Sequence, residues 1–275
     1  MHFCTIAPTT ELDRYAARGG HQLCLAQYCY GSDAASRAYL EWYRGRVAQG
    51  DFIILDNGAY EAARWDPKQY LQLARELRPN VLTLPDKVGD NKETQHLMAD
   101  FLDTPQRGIE ATWVYMVVVQ EDPEASLFEW ARAYWDAAYE SLASWVAFPR
   151  ILADRRVELI AGLHKMGWWS DAVEHHAFGM NAGSLAELPQ LNTLGIYSCD
   201  SSAPVWRGLH GCDIESKTWE DHPFNPHWTD AGYDPRHVAD LRKLAETNLE
   251  EVHTACQQKW AMPSVIKAAS TSSRG

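Results

Sequence analysis

Four short segments carry residue types that could do chemistry at a sugar carbon, and each follows an apolar run. They are Asp56-Asn57-Gly58, Asp86-Lys87, Gln120 and Asp200-Ser201-Ser202. Two carboxylates at one site can act as nucleophile and as acid/base at a glycosidic carbon. A third carboxylate and a glutamine can bind the edge of a purine-like base. Each segment alone also fits a turn or a helix cap, so the prediction depends on their convergence.

The elements between these segments favour an α/β fold in which strands and helices alternate. Eight short apolar, β-branched or aromatic runs recur, separated by segments with helical periodicity. A capping Asp precedes a first-turn proline at Asp66-Pro67, Asp122-Pro123 and Asp234-Pro235, which predicts three helix starts. The predicted strands are Phe3–Ala7, Leu23–Tyr28, Phe52–Leu55, Val81–Leu84, Trp113–Val119, Trp145–Phe148, His176–Gly179 and Ile196–Cys199.

Eight such units in 275 residues favour a single-domain (β/α)8 TIM barrel. A doubly wound sheet is the alternative, but no glycine-rich dinucleotide turn follows the first strand. In a barrel the polar segments at the strand ends share one mouth. We predict a catalytic barrel over residues 1–208, a C-terminal loop and helix completing it over 209–261, and a flexible tail over 262–275.

Composition and charge limit the classes of protein and partner. Hydrophobic residues make up 46% and charged residues 23%, which is ordinary for a globular domain. The net charge of -12 means that a polyanion must be bound by a local basic groove. Six cysteines without CxxC spacing, no long apolar stretch and no signal-peptide pattern predict a cytoplasmic protein with no membrane partner.

Ordered blocks between residues 50 and 210 resemble the tRNA-guanine transglycosylase superfamily. Ile54–Glu61 is similar to the segment in which an Asp precedes small residues and an aromatic residue. Leu84-Pro85-Asp86 and Val117–Gln120 are similar to the strand ends that carry the family's base-reading Asp and Gln. Ala177–Leu188 resembles its late glycine-bearing strand and helix. Gly195–Arg207 resembles its nucleophile segment, where an Asp is followed by Pro and Arg.

The departures from this family indicate a particular branch of it. The zinc-binding CxCxxC of the tRNA enzymes is missing, and Cys212, His222 and His227 match no standard metal spacing. A different sequence, near Val146–Phe148, replaces the glycine pair of the base pocket. A compact, acidic chain without zinc resembles the phage and bacterial enzymes that insert 7-deazaguanines into DNA. We therefore expect no metal and no cofactor, and for a phage-encoded chain the host cytoplasm as its location.

The resemblance implies a pentosyltransferase that exchanges guanine in DNA for a free 7-deazaguanine base such as preQ0. Asp200 would attack C1′ of a guanosine nucleotide and form a covalent sugar ester, which the incoming base displaces. Two displacements retain configuration. Asp56 would protonate the departing guanine and deprotonate the incoming base.

The same resemblance implies a base pocket. Asp86 would accept hydrogen bonds from N1 and the exocyclic amine, and Gln120 would donate to O6. Asn57 and Gly58 would form the pocket floor. Tyr60 and Phe178 are candidate stacking partners, with core packing as the alternative, and Gly179 completes the predicted pocket.

Basic residues are predicted to hold the nucleic acid, whose target nucleotide must be flipped out or single stranded. Arg207 is the candidate for an adjacent phosphate, and Lys87 and Arg150 extend the contact. Arg155, Arg156 and Lys165 are further candidates, with a solvated surface favoured for Arg155 and Arg156. We interpret His176, which opens a buried strand, as a core histidine.

Three alternatives remain open. In the first, the chain has the family's active site but acts on tRNA instead of DNA. It would be a hydrolase if water replaced the incoming base. A non-catalytic barrel that binds nucleic acid or a partner protein is the third, although binding alone does not require both Asp56 and Asp200.

Overall fold

The structure is a computed structural model that describes residues 1–59, 66–103, 113–180, 185–216, 224–230 and 234–261. Strands and helices alternate along the chain, with short 3-10 and π-helical turns at several junctions. The strands are β1 (His2–Thr5), β2 (His21–Leu25), β3 (Phe52–Asp56), β4 (Val81–Thr83), β5 (Val114–Val118), β6 (Trp145–Phe148), β7 (Glu174–Ala177) and β8 (Ser198–Ser201). The helices are α1 (Leu12–Tyr15), α2 (Ala34–Ala48), α3 (Pro67–Leu77), α4 (Asn91–Asp103), α5 (Leu127–Trp135), α6 (Arg156–Met166), α7 (Glu187–Thr193), α8 (Ala203–Leu209) and α9 (Pro235–Gln257).

The eight strands form a nearly closed parallel barrel. Hydrogen-bonded neighbours follow the order β1-β8-β7-β6-β5-β4-β3-β2, and β1 and β2 lie side by side at the seam. The rings of His2 and His21, the first residues of these two strands, stack there with centroids 3.7 Å apart. The predicted TIM barrel is confirmed, with all eight strands near their expected positions, and the doubly wound alternative is wrong.

Alternate residues of each strand contribute to two separate apolar layers. Inward-facing side chains such as Leu23, Ile54 and Met116 fill the barrel interior. Their strand neighbours, among them Cys24 and Leu55, pack outward against the helices. Because both faces of a parallel barrel strand are buried, the strands read as continuous apolar runs in the sequence.

Two of the three predicted helix starts are confirmed. Asp66 caps α3 by accepting from the backbone N–H groups of Lys68 and Gln69, and Asp234 caps α9 by accepting from that of Arg236. The start predicted at Asp122-Pro123 is wrong, because α5 begins at Leu127. There Ser126 and Glu129 form a capping box, which satisfies two backbone N–H groups reciprocally. Asp122 instead accepts from the backbone N–H of Glu124 at 2.8 Å and stabilises a turn.

The long helix α9 occupies the last outer position of the barrel. It packs against α7, α8 and β1. A Cβ on Gly208 would lie only 2.3 Å from the Cα of Ala245, so this glycine permits the close approach of α8 and α9. Helix α9 therefore forms part of the outer helical layer of the barrel, and the predicted tail 262–275 lies outside the described residues.

Candidate active site

A cavity of about 540 Å³ opens at the C-terminal ends of the strands. Asp56 ends β3, Asp86 and Gln120 follow β4 and β5, and Asp200 lies within β8. The predicted residues that line this cavity are Asp56, Asn57, Asp86, Gln120, Arg150, Phe178, Gly179, Asp200 and Arg207. Gly58 and Lys87 each adjoin a lining residue in the chain, and Tyr60 lies outside the described residues. The barrel thus brings the four polar segments to one mouth.

Asp86 is the centre of a network of amide side chains. Asn57 Nδ2 donates to Oδ1 at 2.7 Å, and Gln120 Nε2 donates to Oδ2 at 2.6 Å. Asn57 Nδ2 also donates to the carbonyl of Leu84, and Gln120 Oε1 accepts from the backbone N–H of Gly89 at 3.1 Å. Burial raises the pKa of Asp86 to about 6, although the two amide donors act in the opposite direction. The network holds a carboxyl group with its edge in the cavity.

Asp56 is held by the turn that follows it. Its Oδ2 accepts a hydrogen bond of 3.1 Å from the backbone N–H of Gly58. Gly58 has a φ of 77°, a left-handed conformation that glycine adopts without strain. The next turn bond joins the N–H of Ala59 to Asn57 Oδ1 at 2.7 Å. Gly58 therefore positions a carboxylate, in addition to its predicted place in the pocket floor.

Asp200 lies almost buried at the cavity wall, with 4% of its surface exposed. Its Oδ1 faces two donors, His176 Nε2 at 3.0 Å and the backbone N–H of Gly179 at 3.2 Å. Behind it, His176 Nδ1 lies 2.8 Å from Ser198 Oγ. Within the described part of the chain, the hydrogen bonds to this carboxylate all go to Oδ1. The arrangement fixes one oxygen of Asp200 firmly.

His176 is a site residue that sequence reasoning missed. It is fully buried, as the interpretation as a core histidine requires, yet its ring contacts the carboxylate of Asp200. The register of β7 and β8 pairs His176 with Ser198, two residues before Asp200. One sequence feature could have identified His176 as a site residue. It is a polar side chain at an inward-facing position of β7, the strand beside the one that carries Asp200.

Arg156 corrects another prediction. We favoured a solvated surface for it, but the side chain is fully buried. Its Nε donates to Glu187 Oε1 at 2.8 Å, and Nη1 and Nη2 donate to the carbonyls of Phe178 and Gly179, both at 2.8 Å. The guanidinium thus holds the backbone that presents the Gly179 N–H to Asp200. Its partner Glu187 is far along the sequence, so no local pattern identifies the pair.

Phe178 and Gly179 lie where β7 enters the mouth. Phe178 lines the cavity and packs edge-on against the ring of His176, with centroids 4.7 Å apart. Gly179 has a φ of 61°, and a Cβ there would lie 3.0 to 3.3 Å from the aliphatic part of Arg150. Only glycine therefore suits the position that donates to Asp200.

Aromatic side chains that we did not predict form a further part of the cavity wall. Tyr28, Trp206 and Phe224 line the cavity. The ring of Phe224 lies 5.5 Å from that of Trp206 and 6.2 Å from that of Tyr28. Phe224 belongs to the segment after α8 that lacks sequence periodicity, and its role is visible only once the chain is folded.

Arg207 lines the cavity but is only 4% exposed. Its Nη1 donates to the backbone carbonyls of Ile214 and Ser216. These bonds hold the chain that follows α8 against the barrel. The geometry favours a structural contribution, and the predicted phosphate contact stays a prediction.

The other basic candidates lie in different places. Arg150 lines the cavity and Lys87 is exposed at the same mouth. Arg155 Nη1 donates to the carbonyls of Pro123 and Ala125, so it joins two loops. Lys165 lies near the end of α6, next to His164, whose ring bonds to the backbone before β8 at the opposite end of the barrel. A basic track that includes Lys165 is therefore wrong.

No group of three or more His, Cys, Asp or Glu side chains among the described residues is arranged to hold a metal ion. In the same residues, no helix is long and apolar enough to span a membrane. No protein-family model matches the chain, and no curated protein is significantly similar to it.

Proposed function

We propose that this protein is a base-exchange transglycosylase that replaces guanine in DNA with a 7-deazaguanine base of the preQ0 type. One observation carries the proposal: Asp200 and Asp56 line the same cavity as the network of Asp86, Asn57 and Gln120. Two carboxylates for displacement and proton transfer thus lie beside groups suited to a purine edge. The ordered blocks that resemble the tRNA-guanine transglycosylases support the same reaction.

The first displacement uses Asp200 and Asp56. Asp200 Oδ2 attacks C1′, the C1′–N9 bond breaks, and its electron pair leaves with guanine. Asp56 gives a proton to the departing base. The second displacement reverses these steps: Asp56 takes the N9 proton of the deazaguanine, N9 attacks C1′, and the bond to Asp200 breaks. Both steps are general acid/base and nucleophilic catalysis with no net change of oxidation state.

Asp86 and Gln120 select the base. An ionised Asp86 accepts from N1–H and the exocyclic amine, groups shared by guanine and 7-deazaguanines. Gln120 uses one amide hydrogen for Asp86 and has a second to donate to O6, while its own oxygen is fixed by Gly89. This orientation of the Gln120 amide supports the proposed donation to O6.

The choice of DNA rests on the resemblance to the compact branch without zinc, and the cations near the mouth suit the phosphate backbone of either nucleic acid. Lys87 and Arg150 lie there on a chain whose net charge is -12. Such a protein must attract a phosphate backbone locally. tRNA is the alternative polymer, and it is an outcome of the test below.

The test is exchange of labelled guanine, and of labelled 7-deazaguanine, into single-stranded DNA and into tRNA. We expect incorporation into DNA by the wild-type protein and none by Asp200→Ala, since no other group attacks C1′ in its place. Asp122→Asn, which removes an exposed carboxylate outside the cavity, is the matched control and should exchange normally.

Each other outcome has a defined meaning. Asp200→Ala exchanging at near wild-type rate would overturn the assignment. Exchange confined to tRNA would favour the tRNA enzyme, and release of guanine without uptake of a base would favour the hydrolase. Asp56→Asn should be impaired less with bases that ionise more readily, because such bases depend less on the proton shuttle.

A further inference from the structure

A continuous chain of buried hydrogen bonds joins the two neighbouring strands β7 and β8. Ser198 Oγ lies 2.8 Å from His176 Nδ1, and His176 Nε2 lies 3.0 Å from Asp200 Oδ1. Ser198 and His176 have no exposed surface, and Asp200 is nearly buried at the cavity. The nucleophile proposed above is thus backed by an imidazole that solvent does not reach.

The chemistry of the groups fixes where the hydrogen lies. A carboxylate only accepts, so the nitrogen facing Asp200 carries a hydrogen in either protonation state of the ring. The Ser198 hydroxyl can donate to Nδ1 or accept from it, and so satisfies the other nitrogen. The backbone N–H of Gly179 supplies a second donor to the same oxygen, Oδ1.

We propose that His176 is the positioning residue of the nucleophile, holding Oδ1 so that Oδ2 attacks C1′ and so that the sugar ester is readily displaced. This inference rests on the proposed function. It assigns His176 a part in the second displacement, which the role of Asp200 alone does not specify.

The effect follows from where charge lies during the two steps. When Oδ2 bonds to C1′, the carboxylate becomes a neutral ester and Oδ1 becomes its carbonyl oxygen. When the incoming base displaces the sugar, the electron pair of the C1′–Oδ2 bond returns to Asp200. Donors to Oδ1 bind the carboxylate more strongly than the ester, because charge-assisted hydrogen bonds are the stronger ones. They therefore favour release of the sugar and limit accumulation of the covalent adduct.

Two variants separate donation from packing. His176→Phe keeps a ring against Phe178 but removes the donor, and His176→Gln removes the ring but keeps an amide N–H at similar reach. The experiment measures, with a single-stranded DNA oligonucleotide, the fraction of protein trapped as adduct and the rate at which added base displaces it. Thermal unfolding checks that each variant is folded.

We expect His176→Phe to displace the sugar on the order of tenfold or more slowly and to accumulate adduct, as loss of a hydrogen bond to a charged group predicts. His176→Gln should be closer to wild type in both measurements. Ser198→Ala should have the smallest effect, because the hydrogen facing Asp200 stays in place.

The opposite order, with His176→Phe nearer to wild type than His176→Gln, would overturn the inference and assign His176 to packing. Unchanged displacement and adduct fraction in all three variants would overturn it as well. Absence of adduct and exchange in the wild-type protein on both DNA and tRNA would instead overturn the proposed function, and the inference with it.

Discussion

The two ends of the barrel carry different kinds of side chain, aromatic rings at the closed end and polar groups at the mouth. At the closed end, rings of His21, Phe52, Trp145 and Tyr197 contact one another, with centroids 5.1 Å apart for His21 and Phe52 and 5.6 Å apart for Phe52 and Trp145. Burial lowers the pKa of His21 to about 4, so this ring is neutral at physiological pH. At the mouth, by contrast, carboxylates and amides meet in a cavity. One end contributes packing and the other presents reactive groups.

The difference lies in what each end must satisfy. The rings at the closed end fill space by packing, and their polar atoms His21 Nε2 and Tyr197 Oη lie 3.1 Å apart, within hydrogen-bond distance. Polar groups at the mouth lose hydration when buried, so each needs a partner in the protein. Asp86 has two amide donors, and Arg156 has Glu187 and two carbonyls. Buried polar residues behind the cavity, such as Arg156 and Glu187, therefore form a second layer that stabilises the mouth.

The largest expected effect is at that second layer. Arg156→Met removes the guanidinium that pairs with the buried carboxylate of Glu187, and we expect it to reduce the free energy of unfolding by about 3 to 5 kcal/mol. It also frees the carbonyls of Phe178 and Gly179, so base exchange should fall further than the loss of folded protein explains. Chemical denaturation and exchange per folded molecule measure the two effects.

The double variant Arg156→Met/Glu187→Leu is the control for this prediction. Replacing both charges with apolar groups should recover much of the stability, as replacement of buried ion pairs often does. Exchange should stay low because the backbone of Gly179 has lost its support. Full recovery of exchange in the double variant would contradict the positioning role of Arg156.

A comparable loss of stability without loss of chemistry is expected at the closed end. Trp145 is 6% exposed and packs against Phe52 and Tyr197. Trp145→Ala should reduce the free energy of unfolding by about 3 to 5 kcal/mol, because the removed ring leaves a cavity. Exchange per folded molecule should be unchanged below the unfolding temperature. A defect in exchange as large as that of Arg156→Met would break the contrast between the two ends.

The sequence predicted the architecture and the polar residues at the mouth, and failed where contacts join distant segments. Strand positions follow from apolar runs, and Asp56, Asp86, Gln120 and Asp200 follow from their place one or two residues after those runs. Arg156 was misassigned because its partners are in segments whose approach only the folded barrel brings about.

The aromatic wall was missed for a related reason. Phe224 lies in a stretch without periodicity, so no local pattern connects it to Trp206 and Tyr28. The helix start predicted at Asp122 was wrong for a different reason. A helix does begin nearby, but the reciprocal pair Ser126 and Glu129 caps it, and Ser126 lies four residues after Asp122. Local patterns therefore locate elements better than they locate the supports of a site.

The titration of Asp86 should give an intermediate effect on stability. Its pKa in the folded protein, about 6, is above the ordinary value of 3.8, so the folded state binds the proton more tightly. Stability should therefore fall as pH rises from about 4 to 6 and stay level above, by roughly 2 to 3 kcal/mol from this group. Asp86→Asn should remove this component, and urea unfolding across the pH range measures it.

Base binding should have the opposite pH dependence. Ionised Asp86 accepts the hydrogen bonds of the purine edge, so the affinity of the wild-type protein for guanine should weaken as pH falls below about 6. Asp86→Asn should bind weakly at every pH in this range. Calorimetric titration with guanine tests this, and a wild-type affinity that does not change between pH 5 and 7 (roughly one unit on either side of that pKa) would contradict the proposed contact.

The smallest effect concerns single surface cations at the two ends. Arg150 lines the mouth and Lys165 is exposed near the opposite end, so Arg150→Gln and Lys165→Gln remove the same charge from different places. If Arg150 contacts one phosphate, Arg150→Gln should lower affinity for single-stranded DNA and reduce the slope of log affinity against log salt by about 0.7. Lys165→Gln should leave both unchanged. Binding of a labelled oligonucleotide at several salt concentrations measures the slope. Equal losses in the two variants would indicate that DNA responds to the net charge of the molecule. They would contradict a local phosphate contact by Arg150 at the mouth.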